Sequence, residues 1–389
     1  MGTQILQPVS AIVLAAGYSR RMGNFKPLLP LGNGTVLSTV VDQLRAAGVD
    51  DVCVVTGHHA ETLHSEIARL GARSAYNPDF DRGMYSSIVR GISALPDSAE
   101  ACLLLPVDIP LVRAASVRQL LRHPFDARTQ VLYPTFRGQR GHPPMIRRSL
   151  FVPICAHQDP AGGLKALLQQ HQDAATELAL CDQGILYDMD TPEDYCRLSA
   201  LAARRLIPSA EECEALLARF QPDDRLERHL RRVAQVARCI AEALIHNGVA
   251  LDLEKIWAGA LLHDIAKDGP NHAFAGAVIM HDFGFTDIAT IIAQHMDLEF
   301  SGDVPDDAAI VYLADKMVWQ DQIVGLEARF QPAFERFSDN PEALRGARRR
   351  YASARVVADA IERLTGCPLS QLLAATRPGA CRAPKPDRL

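Results

Sequence analysis

Five short apolar runs punctuate the first half of the sequence: VSAIVLAAG (9–17), DVCVVTG (51–57), ACLLLPVD (101–108), QVLYPTF (130–136) and ILYDMD (185–190). Helix-like segments lie between them, among them 36–47, 86–95 and 116–122. A strand that is apolar along nearly its whole length has to be covered on both faces, so this alternation predicts an α/β unit with a mostly parallel sheet. Sheets of that kind collect ligands at the carboxyl ends of their strands, which directs attention to the residues that follow each run.

The pattern ends soon after Thr191-Pro192-Glu193-Asp194, where a capping residue, a proline at the first helical position and acids in the first turn mark a helix start. That helix is expected to run to about Leu206 and to break at Ile207-Pro208-Ser209. Beyond it the sequence reads as amphipathic helices over 210–220, 225–247, 253–267, 272–283, 286–297, 306–330 and 341–364, with no strand. The 389 residues thus divide into an α/β domain over 1–205, an all-α domain over 210–365 and a flexible tail over 366–389, rich in Pro, Arg and Lys from Arg377.

Charge narrows the partners. There are 41 basic and 46 acidic side chains, 18 against 19 in residues 1–200 and 23 against 27 in the remainder. Neither half carries the bulk positive charge of a nonspecific nucleic-acid binder. The N-terminus lacks a basic region followed by an apolar one, and no apolar run approaches the ~18 residues of a membrane helix. A cytoplasmic protein without a membrane or nucleic-acid partner is expected. Nine cysteines without a Cys-x-x-Cys pair read as thiols, several of them buried, and not as a disulfide or zinc framework.

The first apolar run leads into Leu14-Ala15-Ala16-Gly17-Tyr18-Ser19-Arg20-Arg21-Met22-Gly23-Asn24-Phe25-Lys26. Small residues at 15–17 let backbone N–H groups come close to a phosphate chain, and Arg20, Arg21 and Lys26 supply the charge to hold a triphosphate. Gly17 and Gly23 do not fit G-x-G-x-x-G and no Gly-Lys-Ser/Thr follows, so this is neither a dinucleotide fingerprint nor a Walker loop. The third run ends in Leu105-Pro106-Val107-Asp108, and Asp188 and Asp190 close the fifth. Carboxylates at strand ends beside a phosphate loop suit Mg²⁺, which binds through one or two protein carboxylates plus substrate phosphates.

These segments, with YNPDFDRGMYSSIVRGI, YPTFRGQRGHPPMI and DMDTPEDY, occur in the order found in molybdenum-cofactor nucleotidyltransferases. Residues 8–200 look most similar to the cytidylyltransferase branch of that MobA-like family. The resemblance implies a Rossmann-like nucleotidyltransferase fold and transfer of CMP from CTP to molybdenum cofactor, with pyrophosphate released. It also implies that Ala15, Ala16, Gly17, Ser19, Arg20, Arg21, Gly23 and Lys26 bind the nucleotide, that Lys26 and Asp108 are catalytic, and that Asp108 and Asp190 hold Mg²⁺. Asn77, Ser86, Gly141 and His142 match segments on the substrate side. The residues alone leave His142 open between a phosphate or pterin contact and a turn role, and His58 and His59 read as loop residues. The sequence departs from the family at Asp159-Pro160-Ala161-Gly162-Gly163-Leu164-Lys165, where Gly-Asp followed by a glycine and an arginine is expected.

In the second half, His229, His263-Asp264, His272, His295 and Asp315 stand out, with His263-Asp264 closing an apolar helix and Asp315 within IVYLADKMV. Imidazole and carboxylate ligands drawn from several helices suit Mn²⁺, Fe²⁺ or a similar divalent ion. Residues 225–320 resemble the HD superfamily of metal-dependent phosphohydrolases. The resemblance implies His229, His263, Asp264 and Asp315 as core ligands, Asp264 and Lys267 as catalytic, and His272 and His295 as ligands of a second ion bridged by Asp264. His246 and His281 read as surface residues, and Arg345–Arg350 (RGARRR) as a solvated helix face.

Together these expectations describe a bifunctional enzyme acting on a nucleoside triphosphate and molybdenum cofactor in one half and on a phosphorylated small molecule or nucleotide in the other. Molybdoenzyme maturation proteins are the implied partners. Two other readings use the same residues: a transferase whose HD half senses nucleotides without hydrolysing them, and a sugar- or alditol-phosphate nucleotidyltransferase fused to a phosphohydrolase.

Overall fold

Strand β1 (Val9–Ala15) lies in the middle of the first unit with Ala11, Ile12 and Val13 fully buried, as an apolar strand covered on both faces must be. The computed structural model describes residues 8–376 apart from 125, 127, 158–161, 268, 270 and 301. The chain divides into two units, Met1–Arg205 and Leu206–Leu389. In the first unit β1 is followed by a small hairpin of β2 (Pro30–Leu31) and β3 (Gly34–Thr35), then α1 (Val36–Ala46), β4 (Asp51–Thr56), α2 (Ala60–Arg69) and β5 (Arg73–Tyr76). Next come α3 (Met84–Ser93), β6 (Ala101–Pro106), α4 (Ala114–Arg122), β7 (Val131–Phe136), β8 (Gln139–Arg140), β9 (Met145–Arg147), α5 (Phe151–Ala156), α6 (Gly163–Gln169), β10 (Ala175–Ala179) and α7 (Pro192–Ala203).

The main sheet has the order β10-β7-β9-β6-β1-β4-β5, with β8 paired to β7. Neighbours β5, β4, β1 and β6 are parallel, as are β7 and β10, while β9 runs antiparallel between β6 and β7. The sheet is therefore mixed and mostly parallel. Gly91 of α3 lets that helix sit directly on β1: a Cβ there would lie 2.5 Å from Ile12 Cγ2.

The fifth apolar run is not a strand. Residues 183–186 form a 3₁₀ turn and 187–190 make no ladder, whereas β10, a segment not anticipated, pairs with β7. Single bonds from His142 N to Ile185 O (2.9 Å) and from Met189 N to Asp108 O (2.8 Å) tie the run to two loops. Asp182 sets the turn by accepting from Gly184 N at 3.0 Å.

The second unit is predominantly helical: α8 (Ala210–Phe220), α9 (Asp224–His246), α10 (Leu253–Leu262), α11 (His272–Asp282), α12 (Thr286–Gln294), α13 (Asp307–Lys316), the hairpin β11 (Val318–Trp319) and β12 (Gln322–Ile323), α14 (Leu326–Arg336), α15 (Pro341–Thr365) and α16 (Leu369–Leu372). Helix α9 buries Leu230, Val233, Val236, Ala237, Ile240 and Leu244 along one face, against which α10, α13 and α15 pack. No helix among the described residues is long and apolar enough to cross a membrane.

Three boundaries differ from expectation. The helix expected over 306–330 is broken by the β11–β12 hairpin, whose turn residue Gln320 has a left-handed φ of 59°. The carbonyls of Gln320 and Asp321 accept from His229 Nδ1 (2.8 Å) and Arg232 Nε (2.9 Å), so side chains of α9 fix the turn. The helix expected to reach 267 ends at Leu262, and 263–267 form a turn. The tail expected from 366 is structured to Thr376, with Leu369 and Leu373 buried beside α9. Residues from Arg377 and the departure at Asp159–Ala161 lie outside the described residues.

Four of the cysteines, 53, 102, 181 and 213, are buried, and Cys196 is exposed. In the first unit the 2% exposed Asp182 accepts from Arg113 Nη1 (2.6 Å), Arg113 N (2.8 Å), Ser116 Oγ (2.6 Å) and Gly184 N (3.0 Å). Removing one partner of a buried ion pair leaves the other charge uncompensated. Asp182→Ala should therefore lower stability by about 3–5 kcal/mol, read as a fall in the urea midpoint of the unfolding step of this unit.

Candidate functional site

The register of β1 with β6 builds the first site. Leu14 pairs with Pro106, and Val107 N donates to Leu14 O at 3.0 Å, so Asp108 emerges beside the loop that begins at Ala15. Asp190 reaches the same place without a strand, because the Met189 N bond to Asp108 O brings its loop alongside. The capping box at Thr191 then fixes where α7 begins. Lys26 Nζ sits between the two carboxylates, 3.2 Å from Asp108 Oδ2 and 2.8 Å from Asp190 Oδ1. Arg21 Nη1 holds the other oxygen of Asp190 at 2.8 Å. The hydrogen bond from Lys26 keeps the Asp190 carboxyl below its usual range, against the opposing effect of burial.

A cavity of about 440 Å³ opens beside this triad, lined by Ala15, Ala16, Gly17, Ser19, Arg20 and Lys26 together with Phe80, Gly83, Met84, Ser87 and Asp108, while Arg21 and Asp190 are not among its lining residues. Ser19 takes a left-handed φ of 54° and its Oγ accepts from Lys26 N at 3.2 Å, which shapes the loop. Arg20 stacks on the Tyr18 ring at 4.4 Å, and Tyr18 is hydrogen-bonded to Asp81 across the cavity mouth. A Cβ on Gly17 would meet nothing within 4 Å, so the protein's own packing does not demand a glycine there.

The residues expected on the substrate side are placed differently. Asn77 is buried, donating to Ser86 Oγ (2.9 Å) and Ser87 Oγ (3.0 Å) and accepting from Asp79 N (3.0 Å). Ser86 Oγ in turn donates within reach of the Asp79 and Gly83 carbonyls, so both side chains are committed to the turn before α3, and Ser87 is the serine that lines the cavity. Gly141 is required by packing, since a Cβ would lie 2.5 Å from Ile185 O. Neither Gly141, His142 nor Gly23 lines the cavity, and burial lowers the His142 pKa against the charges of Asp108 and Asp188.

In the second unit the expected ligands converge. His229 comes from α9, His263 and Asp264 from the turn after α10, His272 from the start of α11, His295 from the end of α12 and Asp315 from α13. Asp315 Oδ1 lies 3.2 Å from His229 Nε2 and 3.5 Å from His263 Nε2, and Asp264 Oδ2 is 3.6 Å from His263 Nε2. On the other side Asp264 Oδ1 is 3.2 Å from His272 Nε2 and 3.3 Å from His295 Nε2. Two three-residue sets therefore share Asp264: His229–His263–Asp264 and Asp264–His272–His295.

Backbone carbonyls orient the rings. His229 Nδ1 contacts Gln320 O at 2.8 Å, His263 Nδ1 contacts Ala260 O at 2.8 Å and His295 Nδ1 contacts Ile292 O at 2.7 Å. An Nδ1 that donates to a carbonyl leaves Nε2 as a lone pair directed into the cluster, the arrangement that metal-binding histidines use. His229 Nε2, His263 Nε2 and Asp264 Oδ1 are buried with no hydrogen-bond partner. Divalent ions fit these donors, the two nitrogens belonging to one three-residue set and Asp264 Oδ1 facing the histidines of the other. Burial alone would push Asp264 up, but the charge of His263 and the approach of His272 and His295 hold its carboxyl well below the usual range.

Lys267 reaches Asp264, and Lys316, which the sequence did not single out, bridges Asp315 Oδ2 (2.6 Å) and His295 O (3.0 Å). A cavity of about 590 Å³ opens at the cluster and is lined also by Trp319, Arg329, Phe330 and Arg350. Arg350, expected on a solvated face, thus lines the cavity, whereas His246 and His281 are exposed as expected.

Residues 11–182 match the family model for the MobA-like NTP transferase domain, and residues 226–319 match that for the HD domain. A molybdenum cofactor cytidylyltransferase of Escherichia coli is 27% identical over 192 residues, 49% of this chain and 95% of that protein. The bifunctional protein GlmU of Burkholderia thailandensis is 28% identical over 351 residues, 83% of this chain and 73% of that protein. The solved structure of a nucleotidyl transferase from Methanothermobacter is 26% identical, with a TM-score of 0.45 over 51% of this chain and 98% of its own. The chain joins a nucleotidyltransferase domain to an HD domain.

A ligand that binds only the folded state stabilises it, by about 2.7 kcal/mol at a hundred times its dissociation constant. Adding Mn²⁺ should raise the melting temperature of the HD unit and a chelator should reverse the shift. Asp264→Asn, which weakens both three-residue sets, should abolish it in a differential scanning measurement.

Proposed function

We propose that this protein is a bifunctional enzyme that transfers CMP from CTP to molybdenum cofactor and, in its HD unit, hydrolyses a phosphate ester. The observation that carries the first half is the convergence of Asp108 and Asp190 on Lys26, at the carboxyl end of β6 and beside a loop with Arg20 and Arg21. In the transfer, a terminal phosphate oxygen of the cofactor forms a bond to the α-phosphorus of CTP, the bond between that phosphorus and the β-phosphate oxygen breaks, and pyrophosphate leaves. Such a displacement needs in-line positioning and neutralisation of charge more than an acid–base pair.

The backbone of Ala15–Gly17 is suited to approach the phosphate chain, and the open space at Gly17 leaves room for it. Arg20, Arg21 and Lys26 would offset the triphosphate charge, and Asp108 and Asp190 would hold Mg²⁺ in exchange for their ion pairs with Lys26 and Arg21. When bound, that ion supplies Lewis-acid charge to the phosphates. Burial lowers the His142 pKa against the charges of Asp108 and Asp188, and the residue is not among those lining the cavity, which favours a turn role over a phosphate contact.

For the HD unit the reading rests on the buried, partnerless nitrogens of His229 and His263 and the shared Asp264. His229, His263, Asp264 and Asp315 would hold one ion, and Asp264, His272 and His295 a second, of Mn²⁺, Fe²⁺ or similar type. Bound there, the ions supply Lewis-acid charge and make water a stronger nucleophile at neutral pH. Lys267, half-exposed beside Asp264, faces the phosphate of a substrate, while Lys316 holds Asp315 and His295 in place.

The deciding experiment incubates the pure protein with CTP, GTP or ATP plus molybdenum cofactor and measures pyrophosphate. CTP-dependent release is expected. Release with GTP and not CTP would overturn the cytidylyl assignment, and release with a sugar 1-phosphate but not with the cofactor would move the acceptor.

Asp108→Ala should reduce transfer at least about a hundredfold, the scale on which single stabilising groups act on transition-state charge, with folding intact because the side chain is partly exposed. Asp264→Ala should abolish phosphate release while leaving transfer in place. Loss of both activities in either folded variant contradicts two independent sites.

A further inference from the structure

Besides the histidine–aspartate cluster, the HD cavity is lined by residues that a simple phosphate ester would not need. Trp319 ends β11 and is 42% exposed although it lines a cavity of about 590 Å³. That volume lies within the roughly 300–1,000 Å³ of small-molecule sites and is far more than a phosphate group fills. The Arg329 guanidinium stacks over the indole at 4.7 Å, and Phe330 lines the same cavity. Arg329 Nε is buried without a hydrogen-bond partner.

The hairpin that carries Trp319 is coupled to the cluster. His229 Nδ1 contacts the carbonyl of Gln320, the next residue, so the bond that orients one candidate ligand also fixes the position of the indole. Arg232 Nε anchors Asp321 O in the same turn. Gln320 is itself a lining residue, and its side-chain amide offers both a donor and an acceptor. An exposed indole with a guanidinium against it and an amide next to it in the chain together suit a flat, polar-edged ring system. Bases stack on aromatic side chains whatever their identity, and their edges take hydrogen bonds. Arg225 and Arg350 add positive charge at the same cavity.

Resting on the hydrolase reading above, we infer that Trp319, Arg329 and Gln320 form a binding site for the base of a nucleoside monophosphate, whose phosphate lies at the histidine–aspartate cluster. Hydrolysis of such a substrate forms a bond from a water oxygen to phosphorus, breaks the bond from phosphorus to the 5′ ester oxygen, and returns a proton to that oxygen. The products are nucleoside and inorganic phosphate.

The chain has two tryptophans, so Trp257→Phe in the full-length protein leaves Trp319 as the sole indole. Titration with AMP or CMP should quench its fluorescence saturably, and glycerol 3-phosphate should not. Trp257 does not line the cavity, so the wild-type protein serves for the same titration where the variant is unstable. In steady-state assays with Mn²⁺, Trp319→Ala should lower the ratio of kcat/KM for AMP over glycerol 3-phosphate by about ten- to a hundredfold, the range expected for one lost stacking contact. Trp319→Phe should recover most of it.

Absence of saturable quenching overturns the inference, as does an unchanged ratio in Trp319→Ala. Quenching by AMP without phosphate release leaves the base site standing and refutes the hydrolase reading instead.

Discussion

A carboxylate taken out of water needs a positive partner, and each unit is arranged around that requirement. In the first, Asp108 and Asp190 approach from different loops and Lys26, 8% exposed, stands between them. In the second, Asp264 and Asp315 are more deeply buried, and the groups around them are chiefly imidazoles held by backbone carbonyls. Lys316 takes one oxygen of Asp315, but among the described residues Asp264 Oδ1 and the Nε2 atoms of His229 and His263 form no hydrogen bond, only close approaches to one another's neighbours in the cluster. A cationic side chain answers the demand in one unit, and the donor set in the other suits a metal ion.

That difference reflects how the carboxylates are delivered. Residues following parallel strands emerge at one end of a sheet beside a loop, where a ligand brings its own charge and water is near. Side chains from α9, the turn after α10, the ends of α11 and α12, and α13 meet in a helical unit where most of them are buried and each donor must be accounted for. The close approach of α10 and α12 is set by Gly259, where a Cβ would lie 2.9 Å from Ile291 Cγ2. The cluster is thereby linked to packing in the helices that carry it.

Much of this was legible in the sequence. The apolar runs at 9–17, 51–57, 101–108 and 130–136 correspond to β1, β4, β6 and β7, because strands buried on both faces leave a continuous signal. Strands β5 and β10 carry no such signal: RSAY and ATELA are half-exposed edge segments with polar residues. The run at 185–190 shows the converse error, since Ile185 and Met189 are buried by loop packing without a ladder. Among the candidate residues, Lys26, Asp108 and Asp190 meet, as do the six histidines and aspartates of the HD unit. Asn77 and Ser86 instead hold a turn, while Ser87, one position along, faces the cavity.

The sequence by itself determined which chemistry each unit carries: the small-residue loop with its arginines and lysine, the strand-end aspartate, and the histidine–aspartate set are all local in type and ordered along the chain. Tertiary structure decided which of those groups share a space. It turned Arg350 and Trp319 toward the HD cavity, broke the helix expected over 306–330 so that a hairpin faces the cluster, and brought Asp190 to Lys26 through one backbone bond to Asp108. The physical reason is that hydrophobic periodicity records burial, whereas a site depends on direction. Direction is set by long-range hydrogen bonds such as His229 Nδ1 to Gln320 O, which span 91 residues and leave no mark on the local pattern.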